Sequence, residues 1–80
     1  MDGIVIKSGH QRRLGNGPVG VSGVVPVAEH DGTVRERAVI TTPERRTEVF
    51  VGDEIELGGV RYVVAIDVAE ASVTLTPCEP

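Results

Sequence analysis

The sequence predicts an all-β fold, a small antiparallel sandwich or partly closed barrel of six to seven short strands. Three observations carry that expectation. β-branched residues dominate the apolar segments; Gly, Pro, Asn and Asp recur between them at short intervals; and the segment over 60–68 sorts its residues onto two faces with a period of two. No window favours a helix, because residues 34–40 and 60–68 are rich in Val and Ile, whose stiff χ1 angles suit a pleated surface. A chain of 80 residues is expected to form a single β domain over 1–80 with a thin core, since folding at this size buries only about 60–65% of the unfolded surface.

The first strand is expected over residues 3–7. A flexible loop follows over 8–18, poor in apolar residues and carrying three glycines, Asn16 and Pro18. A second strand spans 19–28, with Pro26, which cannot donate to a ladder, marking a sheet edge or a bulge. His30-Asp31-Gly32 supplies a hairpin turn into a strand over 33–41. Pro43-Glu44-Arg45 turns the chain into a strand over 47–51, Gly52-Asp53 forms a corner into 54–57, and Gly58-Gly59 closes a second hairpin. In the next strand Val60, Tyr62, Val64, Ile66 and Val68 share one face, expected to be core, and Arg61, Val63, Ala65 and Asp67 the other. Ala69-Glu70-Ala71 turns into a last strand over 72–76, with Val73 and Leu75 inward, and 77–80 is expected as a C-terminal tail. Phe50 and Tyr62, the two aromatics, are expected in the core.

The formal charge of −4 argues against a nucleic-acid or membrane partner, both of which reward positive charge. The charge is uneven: residues 1–46 carry seven basic against five acidic groups, and 47–80 carry Arg61 against seven acidic groups. Cys78, the single cysteine, excludes an intramolecular disulfide and a CxxC metal site. The apolar run Ile4-Val5-Ile6 is too short for a signal-peptide core or a membrane helix, so a cytoplasmic location is expected. Seven arginines against one lysine suggest a genome with GC-rich codons.

No constellation demands catalysis, a cofactor or a metal. Gly15-Asn16-Gly17-Pro18-Val19-Gly20 matches G-x-G-x-x-G but leads into a strand, where the dinucleotide fingerprint needs a helix N-terminus. His10, His30, Asp31 and Cys78 lack metal-ligand spacing. The run around Ser22 is not a nucleophile elbow, and Glu54 and Glu56 share a strand face that fits solvent exposure. The candidate binding residues are Lys7, His10, Arg12, Arg13, Arg45 and Arg46, an anion-binding patch if the two loops converge.

Thr42-Pro43-Glu44-Arg45 before a strand, then Val51-Gly52-Asp53-Glu54-Ile55-Glu56-Leu57 and Val60-Arg61-Tyr62-Val63-Val64, resembles a family of short actinobacterial all-β proteins of unknown function. The likeness covers roughly residues 19–76, with Tyr62 where that pattern carries tryptophan. It implies an all-β fold and a bacterial origin, and no activity or site residues. The leading functional expectation is a non-catalytic interaction module that meets a protein partner or a second copy of itself, with Val21, Val25, Val27, Val39 and Val63 as surface candidates. The alternatives are a nucleic-acid-binding small barrel using Arg12, Arg13, Arg45 and Arg46, and an accessory protein that binds a small molecule beside Tyr62 or His10.

Overall fold

The computed structural model describes residues 3–15 and 17–78. Eight strands follow in order: β1 (Ile4–Lys7), β2 (Gln11–Leu14), β3 (Gly17–Ala28), β4 (Val34–Thr41), β5 (Arg46–Phe50), β6 (Glu54–Leu57), β7 (Val60–Asp67) and β8 (Ser72–Pro77). They form two antiparallel four-stranded sheets, in the orders β1-β8-β7-β6 and β2-β3-β4-β5. The sheets stack as a sandwich and do not close into a barrel.

Alternation along each strand builds the core between them. Ile6, Tyr62, Val64, Val73 and Leu75 come from the first sheet, and Val19, Val21, Ala38, Ile40 and Val49 from the second, all 6% exposed or less. Full burial of each larger aliphatic contributes about 1.5–3 kcal/mol. Two short connections carry the chain between sheets. Ser8 N–H donates to Ala71 O at 2.7 Å and Gly9 N–H to Val21 O at 2.9 Å, so adjacent residues bond to opposite layers. At the other connection Gly52 N–H donates to Val64 O at 2.8 Å, and Asp53 accepts from Phe50 N–H at 2.9 Å through Oδ2.

β3 is bent by a bulge. Its register with β4 shifts between Ser22 and Val25, so that Gly23 and Val24 face the single residue Ala38. Gly23 takes φ +60°, and a Cβ there would lie 3.1 Å from the Arg37 guanidinium, which itself donates to Gly23 O at 3.4 Å. Pro26 lies beyond the bulge and beyond the reach of β2, whose pairing with β3 ends at Gly20, so its missing N–H breaks no ladder on that free side.

Several expectations are corrected. The loop over 8–18 contains β2, which pairs with β3 from Gln11↔Gly20 to Leu14↔Gly17 and raises the strand count to eight. Pro77 belongs to β8 rather than the tail, and Cys78 N–H donates to Arg61 O at 2.8 Å. Phe50 sits half-buried outside the core, with the Arg35 guanidinium 4.1 Å above its ring centre. Val60, expected inside, is exposed, and Val21, expected at the surface, is 3% exposed. Val27 and Val39 are half-buried, while Val25 and Val63 are exposed. Asn16 and Pro80 lie outside the described residues. Among the described residues no helix is long and apolar enough to cross a membrane.

Candidate functional site

The six basic candidates do not form one patch. Lys7 alternates with the core residue Ile6 and so lies on the outer face of the first sheet. Arg13 pairs with Pro18 and lies on the outer face of the second sheet, the opposite side of the sandwich. Arg46, opposite Thr41, shares that outer face, but β2 and β5 are its two edges, about 14 Å apart at three strand spacings. Arg12 pairs with the core residue Val19 at the β2 edge and stays exposed; His10 is exposed in the β1–β2 connection; Arg45 belongs to the β4–β5 turn. Two arginines missed by the sequence reading, Arg35 and Arg37, join Arg13 and Arg46 on this face. Their alternation with Glu36 and Ala38 was the available signal. Both are already engaged: Arg35 with Glu29 at 3.4 Å and the Phe50 ring, Arg37 with Glu48 at 3.1 Å.

A cleft of about 380 Å³ opens at one end of the sandwich, between β6 and the ends of β3 and β4. Val19 and Ile40 lie at its floor, and Leu14, Ile55 and Leu57, all inward-facing, remain half-buried there. Thr42, Arg45 and Glu44 of the β4–β5 turn form the facing rim. The β2–β3 and β6–β7 turns meet beside it: a Cβ on Gly15, which takes φ +59°, would stand 2.5 Å from Gly58 Cα. Only a residue without a side chain permits that approach. At the other end lies a shallow hollow formed by Pro26, Val34, Val51 and Val68. Tyr62 and His10 line neither opening.

The sheet edges differ in chemistry. β2 presents Arg12 and Arg13, β5 Arg46 and Glu48, and β6 Glu54 and Glu56, charges of the kind that discourage edge-to-edge pairing. β1 presents Ile4-Val5-Ile6 with Lys7 only at its end, and Val5 is 49% exposed. Ser8 N–H bonds to Ala71 O, so in the β1–β8 register Ile4 and Ile6 face β8, and the main-chain N–H groups of Val5 and Lys7 point away from the sheet.

Among the described residues no three His, Cys, Asp or Glu side chains gather as metal ligands. Gly15 to Gly20 spans the β2–β3 turn and the start of β3, with a strand where a phosphate-binding helix would begin. Glu54 and Glu56 are both exposed, and Arg61 lies 3.5 Å from Glu54. No protein-family model, curated protein or solved structure matches the chain.

Proposed function

We propose that this protein is a non-catalytic interaction module that associates first with a second copy of itself through the free edge of β1. One observation carries the reading: among the described residues β1 is the one strand edge of the four whose central residues are all apolar, and no described strand meets its outward N–H groups at Val5 and Lys7. In an antiparallel two-fold pairing centred on Val5, Val5 exchanges both main-chain bonds with Val5 of the second copy. Ile4 then packs beside Ile6 across the seam, and Lys7 meets Gly3 rather than a like charge. The two β1-β8-β7-β6 sheets become one sheet of eight strands. A four-residue contact is small, so the dimer is weak and concentration-dependent.

Sedimentation velocity across a concentration series tests it. Wild-type protein is expected to shift toward dimer as concentration rises, and Val5→Lys, a change at an exposed position that places a charge at the centre of the edge, is expected to remain monomeric. A wild-type chain that stays monomeric throughout, or a dimer indifferent to Val5→Lys, would overturn the reading.

A further inference from the structure

The cleft beside β6 takes no part in the β1 contact, and its construction specifies an occupant. Residues 54–58 line it without a break, the outward-facing Glu54 and Glu56 together with the inward-facing Ile55 and Leu57. A strand borders a cavity in this way when it presents its backbone edge rather than one face. The register with β7 agrees. Val64 N–H donates to Asp53 O at 2.8 Å, so Ile55↔Tyr62 and Leu57↔Val60 are the hydrogen-bonded pairs, and the main-chain groups of Glu54 and Glu56 turn away from β7.

β7 also shows which chemistry suits a strand lying beside β6. Opposite Ile55 it sets Tyr62 on the core side; opposite Glu56 it sets Arg61 on the outer side, whose guanidinium reaches Glu54 at 3.5 Å. The free side of β6 offers the same alternation, with an unfilled cleft that holds aliphatic side chains in place of a core and two carboxylates outside it.

We propose that this end of the sandwich binds an extended segment of another protein, added to β6 as a fifth strand of its sheet. Every second residue of that segment is aliphatic and enters the cleft against Leu14, Ile40 and Leu57. The intervening residues are Lys or Arg and lie over Glu54 and Glu56, where opposite charges on neighbouring strands attract. The Gly15–Gly58 contact closes one flank of the cleft. This site shares with the β1 contact only its mode, strand addition, and involves none of its residues.

The test uses the full chain carrying Val5→Lys, labelled with nitrogen-15 and titrated with the blocked peptide Thr-Val-Lys-Val-Lys-Val-Thr and with its counterpart carrying Glu in place of Lys. The Lys peptide is expected to shift the resonances of Leu14, Glu54, Glu56 and Leu57 and to slow exchange of the Glu54 and Glu56 amides. The Glu peptide is expected to bind about ten-fold more weakly, from two like-charge pairs replacing two opposite ones. Glu54→Lys with Glu56→Lys, both exposed changes, is expected to reverse that preference while the core resonances stay in place. Equal response to both peptides, shifts confined to β2 or β5, or shifts at Leu14 and Leu57 without slowed exchange at Glu54 and Glu56 would each overturn strand addition at β6. Wild-type dimerisation is read separately: if the double β6 substitution abolishes it, the occupant is β1 of a second copy and the proposal falls. If wild type is simply monomeric, the β1 reading fails and the titration stands unaffected.

Discussion

The waist of the sandwich and its β6 end are built from the same kind of residue at the same kind of position, and they differ in what covers them. At the waist Val64, Val73 and Leu75, on the central strands β7 and β8, point between two sheets that meet, and each is 1% exposed or less. At the β6 end Leu14, Ile55 and Leu57 point inward from the edge strands β2 and β6, and each stays half-buried beside a cleft. Inward direction is therefore a property of the strand, while burial depends on the strand's place in its sheet. A thin core in a short chain leaves one end of the sandwich with aliphatic surface that the chain itself does not cover.

The sharpest way to break this comparison is to truncate one residue from each region. Leu75→Ala removes a fully enclosed side chain and is expected to cost about 2–5 kcal/mol in urea unfolding. Leu57→Ala, where solvent or a ligand already reaches the side chain, is expected to cost about 1 kcal/mol, scaling with the smaller apolar area it hides. Equal losses would mean that the cleft is closed in solution.

Gly15→Ala acts on the seam between the two turns. Its Cβ would meet Gly58 Cα at 2.5 Å in a left-handed backbone, so the turns must part or the backbone must strain. A loss of about 1–3 kcal/mol is expected. Faster amide exchange at the β6–β7 turn than at the waist would locate that loss at the open end, and a variant as stable as wild type would show that the turns do not touch.

The smallest effect lies in the β3–β4 hairpin, far from the cleft. Asp31 accepts from Thr33 through its side-chain hydroxyl at 2.7 Å and its backbone N–H at 3.0 Å, which together lower its pKa below the usual 3.8. A carboxylate whose folded pKa is depressed stabilises the fold above its unfolded pKa, and that contribution disappears as pH falls through the lower folded value. Thermal unfolding followed from pH 5 downward is therefore expected to lose slightly less stability for Asp31→Asn than for wild type. Identical slopes would remove the assigned role of this hydrogen-bonded turn.

Most strands and turns of the fold were legible in the residues. Val60 to Val68 announced β7 by its β-branched content and its two faces, and Asp31-Gly32 and Gly58-Gly59 marked the β3–β4 and β6–β7 hairpins. β2 was not, because Gln11-Arg12-Arg13-Leu14 carries one apolar residue and no alternating pattern; it becomes a strand through its bonds to β3. Phe50 misled for a different reason. It follows the buried Val49 and so falls on the outer face, where Arg35 stacks upon it and compensates for the solvent exposure of its ring. The bulge had a signal in Gly23, a glycine inside an apolar strand. The cleft had none, since Leu14 read as part of a loop, and Ile55 and Leu57 read as inward positions of an ordinary strand until the strand order is known. The β1 edge was visible only as Ile4-Val5-Ile6, and its significance depends on β1 lying at the border of a sheet.

Amide hydrogen exchange measured as a function of protein concentration tests the interaction reading most directly. The Val5 and Lys7 amides, which point away from β8, are expected to exchange like open-edge groups in dilute protein and to gain protection as concentration rises, while the outward amides of β2 and β5 remain unchanged. Exchange at Val5 and Lys7 that is equally fast at every concentration would contradict association through β1.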